Sequence, residues 1–166
     1  GFASTKHDKE RYEHKYEYCD LLITGSGPSG LASAYAAAKN GARVILAEDK
    51  PRFGGSLLTS EVTIGNQSGR EWVKNIITEL KAMPNVIIKN RSQVFGYYDH
   101  NMLVMSERIS DHLPKSKEYI PKQKLWYIRS KEVIISSGSI ERPLVFGNND
   151  TPGVMLSSAA KEYLKI

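Results

Sequence analysis

Cysteine is almost missing from this chain of 166 residues, with Cys19 its only example. A single thiol excludes an intrachain disulfide, and no Cys/His cluster has the spacing of a zinc site. Long apolar runs are missing too. A membrane-spanning helix needs roughly 20 consecutive apolar residues, whereas Leu21-Leu22-Ile23 and Val133-Ile134-Ile135 have only strand length. The polar start lacks the apolar core of a secretory signal, so the expectation is a reducing, cytoplasmic setting with no membrane partner. None of His7, His14, His100 and His112 stands near a nucleophile or an acid relay, and no catalytic histidine is expected. The net charge of +5 comes largely from scattered lysines, among them Lys115, Lys117, Lys122 and Lys124, with acids interleaved. No zinc finger, helix-turn-helix or RNA-binding aromatic motif accompanies it, so it reads as a solvated surface and not a nucleic-acid footprint.

What is present is an alternation of short apolar runs and helical patterns. Residues 1–18 read as a polar linker or arm, and the domain spans 19–166. Cys19 to Thr24 is a buried strand, and the alanine-rich stretch from Pro28 to Lys39 is a helix with Gly41 beyond its end. Arg43 to Glu48 is a second buried strand, which makes the stretch from Asp20 to Glu48 a β-α-β unit of about thirty residues. Gly69 to Met83 places Trp72, Val73, Ile76, Ile77 and Leu80 at helical spacing. Val86-Ile87-Ile88 reads as a third parallel strand. From Ser92 to Arg129, three apolar runs separated by polar turns suggest an antiparallel meander, with Ser110 to Pro121 as a surface loop. Val133 to Ser136 returns as a short buried strand. Trp72, Trp126, Tyr97 and Tyr98 are read as packing residues, and Cys19 as structural.

The chemistry lies in Gly25-Ser26-Gly27-Pro28-Ser29-Gly30. The first glycine allows a tight turn out of the strand. The second lets the backbone approach a pyrophosphate, and the third lets helix and sheet pack closely. Pro28 stands where a helix has no use for its own N–H, and the remaining free amides with the positive helix end face the diphosphate. A glycine pattern alone is weak evidence. Here a strand precedes it, a helix follows, and Glu48 closes the next strand about twenty residues on, where a carboxylate can accept adenosine ribose hydroxyls. That charge would repel a 2′-phosphate and disfavours NADP. Gly54-Gly55 permits a loop that folds over the pyrophosphate from the other side, and the Ser137-Gly138 end of the last strand can approach a cofactor closely. Ser56-Leu57-Leu58-Thr59 stands where a disulfide reductase would need a cysteine pair, which excludes thiol–disulfide chemistry. The fold expected is α/β, a Rossmann-like FAD/NAD(P)-binding domain of the glutathione-reductase type with a parallel sheet and a β-meander crossover.

The segments CDLLITGSGPSGLASAYAAAKNGARVILAEDKPRFGGSL, VFGYYDHNMLVMSER, LWYIRSKEVIISSGSIERPLVFGNNDTPGVML and SSAAKEYL resemble the alpha (large) subunit of heterotetrameric sarcosine oxidase, from about Arg11 onward. Alpha subunits of amine and proline dehydrogenases share the pattern more loosely. Ser136-Ser137-Gly138 departs mildly from the commoner Ala-Thr-Gly. The resemblance implies a fragment of a longer subunit that also carries a ferredoxin-like segment and a folate-binding domain. It implies beta, gamma and delta subunits, with FAD and FMN in the complete complex. Sarcosine is oxidised at a flavin of the beta subunit, electrons pass through a second flavin to oxygen, and the one-carbon product meets tetrahydrofolate. By that analogy the site here holds NAD, with FAD possible. Gly25, Ser26, Gly27, Pro28, Ser29 and Gly30 would lie at the pyrophosphate, and Glu48 at the ribose with Asp49 and Lys50 beside it. Gly54, Gly55 and Ser56 would close over the phosphates, Val94 would meet adenine through its backbone, and Ser137 and Gly138 would lie against the cofactor. No catalytic residue is implied within the chain. Two other readings are an FAD-dependent NADH or amine/proline dehydrogenase subunit, and a non-catalytic module with structural NAD.

Overall fold

The computed structural model describes residue 5 and residues 10–114 and 119–165. Most of the expected arm's first ten residues, and Lys115 and Lys117 of the charged loop, lie outside them.

Strand β1 (Tyr12–Thr24) feeds the glycine turn, followed by helix α1 (Pro28–Lys39) and strand β2 (Val44–Ala47). A short hairpin of β3 (Thr63–Ile64) and β4 (Gln67–Ser68) leads into α2 (Gly69–Ala82) and β5 (Val86–Lys89). The meander is β6 (Ser92–Tyr98), β7 (Met102–Arg108) and the first half of β8 (Gln123–Ile135), and α3 (Ser157–Tyr163) follows. The six-stranded sheet has the order β5-β2-β1-β8-β7-β6, parallel from β5 to β8 and antiparallel from β8 to β6.

A parallel sheet must be covered on both faces. One face is covered by α1 and α2, which bury Leu31, Ala34, Val73, Ile76 and Leu80 against Leu21, Ile23, Val44 and Leu46. The 3.6-residue period of α2 supplies that stripe, and the expectation for this helix holds. On the other face Leu22, Ile45 and Ala47 meet Leu103, Met105, Trp126 and Ile128 of the meander, so the meander is the third layer. Trp126 is pinned there. Its indole N–H donates to Glu107 at 2.8 Å, and the ammonium groups of Lys15 and Lys89 lie 4.5 and 5.3 Å from its ring.

Three expectations need correction. Residues 12–18 are not part of an arm. They are the first half of β1, paired in parallel with Gln123–Arg129 of β8. The segment alternates aromatic and charged residues, Tyr12, His14, Tyr16 and Tyr18 against Glu13, Lys15 and Glu17. The aromatic members face outward and the charged ones are half-buried, the reverse of a simple amphipathic strand. Tyr16 stacks on Tyr127 of the neighbouring strand at 5.0 Å between ring centroids. Likewise, the run at 125–128 and the strand at 133–136 are one strand, β8, carried through the polar stretch Arg129 to Glu132 by pairing with β1. The amides of both Asp20 and Leu21 donate to the Arg43 carbonyl, at 2.9 and 3.1 Å, at the point where the two faces of β1 exchange. Cys19 before it belongs to the meander-side core and Leu21 after it to the helix-side core. Tyr97 and Tyr98 are exposed, not packed in the meander core.

Removing residues 1–18 is therefore expected to be costly. It leaves one side of the meander half of β8 unpaired and uncovers the Lys15 side of Trp126. The melting temperature, followed by tryptophan fluorescence, should fall by at least about 5 °C. An unchanged melting temperature would return these residues to the status of an arm.

The C-terminal helix has a different support. Leu156 at its N-cap offers no side-chain acceptor, and Glu141 substitutes for it, accepting from Ser157 Oγ at 2.5 Å and from the Ser158 amide at 2.8 Å. Ser157 first, then Ser158, hold this carboxyl down from an ordinary 4.5 to about 2. A depressed carboxylate pKa stabilises the folded arrangement above the ordinary value, and that stabilisation is lost as pH falls toward the depressed one. Hydrogen exchange at residues 157–163, corrected for intrinsic rates, should be flat from pH 8 to 5 and accelerate between about pH 4.5 and pH 2. Constant protection across the acid range would contradict this cap.

Candidate dinucleotide-binding site

The glycine turn sits between the C-terminal end of β1 and the N-terminus of α1. Gly25 has φ +96°, and a Cβ there would lie 2.3 Å from the Ser136 carbonyl oxygen. Gly30 is tighter still: its Cβ would come within 2.0 Å of the Gly25 oxygen. The close approach expected of the third glycine is thus to the turn itself as well as to the sheet. At Gly27 a Cβ would meet nothing within 4 Å, so this position faces open space.

The two long helices differ at their N-termini. Ser68 caps α2 in a reciprocal capping box with Glu71, whose carboxyl lies below its usual range chiefly because the Ser68 amide donates to it. At α1 no side chain caps, no acid stands in the first turn, and the first intrahelical bond is from Leu31 N–H to Gly27 O. The amides of Ser29 and Gly30 precede that bond, beside the open face of Gly27. A helix end of this kind favours an anion, and the donor set fits a diphosphate.

Glu48 follows the last residue of β2 and is 6% exposed. Its Oε2 accepts from the Ser26 amide at 2.9 Å and from the Ser26 hydroxyl, and its Oε1 accepts from the Lys50 amide at 3.0 Å. The acid is thereby held against the glycine turn, although 22 residues separate it from Ser26. Gly54 donates to the Ser26 carbonyl at 3.0 Å, and a Cβ on Gly55 would approach Gly27 Cα to 2.9 Å. The paired glycines therefore lie against the turn, with Ser56 exposed in the single helical turn Gly55–Leu58.

The other expected positions are placed less tightly. Asp49 and Lys50 are exposed; the Asp49 carbonyl accepts from Arg108, and Lys50 lies 3.9 Å from Glu162. Val94 packs its side chain against the meander-side core, on β6 at the sheet edge. Ser137 and Gly138 are exposed beyond β8. The residue that joins this strand end to the turn is Ser136, whose hydroxyl donates to the carbonyls of Thr24 and Gly25, each at 2.9 Å. Its role was missed, as were those of Ser92, whose amide donates to the Glu48 carbonyl at 2.7 Å, and Arg108. A small polar residue where a strand ends beside a glycine turn was the only signal available for Ser136. Cys19 is buried against Ser130, and burial raises its thiol pKa, in keeping with a structural role. Among the described residues no group of three His, Cys, Asp or Glu side chains could hold a metal, and no helix is long and apolar enough to cross a membrane.

A parallel sheet covered by helices and a meander, with the glycine turn at the head of its first strand, defines a Rossmann-like FAD/NAD(P)-binding domain of the α/β class. Residues 20–102 match the family described as FAD dependent oxidoreductase, and the chain belongs to it. It is 41% identical over 164 residues to sarcosine oxidase subunit alpha of Rhizobium meliloti, and 36% identical over 166 residues to that of a Corynebacterium species. Each match covers 99% of this chain and 17% of the relative, so the chain spans only that fraction of their length. L-proline dehydrogenase from P. horikoshii has the same fold, with a TM-score of 0.66 and 24% identity over 85% of this chain and 27% of that one. Thioredoxin reductase of T. acidophilum follows at 0.55 and 18%, covering 80% of this chain and 40% of that one.

Proposed function

We propose that this chain is the dinucleotide-binding part of the alpha subunit of a heterotetrameric sarcosine oxidase, and that its site carries the ADP half of NAD. The observation that carries the reading is the buried Glu48 carboxylate held against the glycine turn by the Ser26 amide. The similarity to sarcosine oxidase alpha subunits along 99% of the chain supports the choice of enzyme. Gly25, Ser26, Gly27, Pro28, Ser29 and Gly30 form the pyrophosphate cradle, with the Ser29 and Gly30 amides as donors. Glu48 accepts from the adenosine ribose and repels a 2′-phosphate, beside Asp49 and Lys50. Gly54, Gly55 and Ser56 close the phosphate side, Val94 meets adenine through its backbone, and Ser137 and Gly138 line the remaining wall. None of these residues is assigned a catalytic step.

NAD held here stabilises the assembly by mass action, whereas FAD would supply two-electron redox chemistry. The complete enzyme in this reading is cytoplasmic and contains beta, gamma and delta subunits with FAD and FMN. It converts sarcosine, tetrahydrofolate and oxygen to glycine, 5,10-methylenetetrahydrofolate and hydrogen peroxide, with folate bound by a domain outside this chain. The match of residues 20–102 to FAD dependent oxidoreductases favours a second reading, in which this site holds FAD in an amine, proline or NADH dehydrogenase subunit. Absorbance and mass spectrometry of the nucleotide released from the purified subunit decide between them. Colourless NAD supports the first reading, and a yellow extract containing FAD from this site supports the second.

A further inference from the structure

The meander packs one face against the parallel sheet and leaves the other open. On the open face, the register places Tyr16, Tyr127, Val104 and Gly96 in one row across β1, β8, β7 and β6. The next row is Tyr18, Arg129, Met102 and Tyr98. Most of these rings are held by a neighbour. Tyr127 stacks on Tyr16 and on His14, and the Tyr98 ring lies over Gly96, where a Cβ would meet it at 2.6 Å. The Arg43 guanidinium lies 4.2 Å from the Tyr18 ring. Tyr16 is nevertheless 75% exposed and Tyr98 56%. The acids of these strand segments, Glu13, Glu17 and Glu107, alternate onto the inner face, so the open face carries arginine and no carboxylate among the described residues. Arg129 donates through Nη1 to the His100 carbonyl, and its guanidinium has further N–H groups for another acceptor.

We infer that this face seats a further domain of the same subunit, one that presents carboxylates to Arg129. Tyrosines with arginine and methionine are the composition of a protein contact, and rings already held in place lose little freedom when covered. The size of the face decides the kind of contact. Four strands about 4.8 Å apart, with about seven residues each at about 3.3 Å, cover roughly 400 Å². A stable complex between separate chains buries about 800 Å² on each partner. A domain tethered to the same chain needs less, because the tether raises its effective concentration to about the millimolar range. A second copy or a separate subunit has no such tether. In the relatives this region is 17% of the alpha subunit, which leaves ample chain for such a domain. The inference rests on the reading of this chain as part of a longer subunit.

The test uses the subunit produced from its complete reading frame, with Tyr16→p-benzoylphenylalanine as a photo-cross-linker. Irradiation should give a product of monomer mass in which position 16 is joined to an acidic segment outside this region. No cross-link, or one to another polypeptide, to a second copy or to a segment without acids, would overturn the inference. The unaltered subunit gives an independent reading. Hydroxyl-radical oxidation of Tyr16 should run at least about 5-fold more slowly than that of an open tyrosine, as inside an interface. Arg129→Glu sets like charges against each other and should raise that rate at least about 3-fold, whereas Arg129→Lys should stay within about 2-fold. Oxidation at the open rate in the unaltered subunit, or no response to Arg129→Glu, would also overturn the inference and leave the longer subunit intact. A complete polypeptide no longer than this region would overturn that reading and the inference with it.

Discussion

Glu48→Lys should abolish binding of ADP and of any dinucleotide that carries it, weakening the dissociation constant by at least about 100-fold. Hydrogen bonds to a charged group are worth roughly 1.5–3 kcal/mol each, and 1.4 kcal/mol is a factor of ten. The substitution removes an acceptor and aims a cation at two amides and a hydroxyl, all of which now donate to the carboxylate. At a position only 6% exposed, that also strains the fold. Glu48→Gln is the cleaner companion. It keeps the shape and one acceptor oxygen, should retain the fold, and should lose about 10-fold in affinity. Calorimetric titration with ADP, with a thermal melt of each variant, separates the two effects. Affinity within 2-fold of the parent in both variants would remove Glu48 from the site.

The glycines of the turn should separate stability from binding. Gly30→Ala puts a methyl group 2.0 Å from a backbone oxygen, where nothing can yield without moving the turn or the helix. A loss of about 3 kcal/mol in urea unfolding, or failure to accumulate folded protein, is expected. Gly27→Ala adds the same methyl group where no protein atom lies within 4 Å. Its melting temperature should stay within about 2 °C of the parent, while ADP affinity falls at least about 10-fold because the methyl group occupies the path of the diphosphate. Reversed outcomes, an unfolded Gly27→Ala or a stable and binding Gly30→Ala, would show that the turn is built differently.

Much of the architecture is local, and the sequence by itself determined it. The β-α-β unit from Asp20 to Glu48, helix α2 and the glycine turn follow from periodicity, caps and glycine spacing over stretches short enough to read in one pass. The same holds for Glu48, since the length of one helix and two turns brings the end of β2 beside the end of β1. What the tertiary structure decided involves pairs distant along the chain. Residues 12–18 become a strand because β8, 111 residues further on at Cys19 and Ser130, supplies the hydrogen bonds. Their charged members turn inward because Trp126 offers Lys15 a ring face. Arg129 to Glu132 stays extended for the same reason, since strand pairing overrides a polar composition that reads as a turn. Within the site the glycines and Glu48 were legible as residue types, but the bond from Ser26 to Glu48 and the two bonds of Ser136 were not. A buried hydroxyl chooses its partner only after the backbone has placed the acceptor, and that placement is settled by packing of the whole sheet.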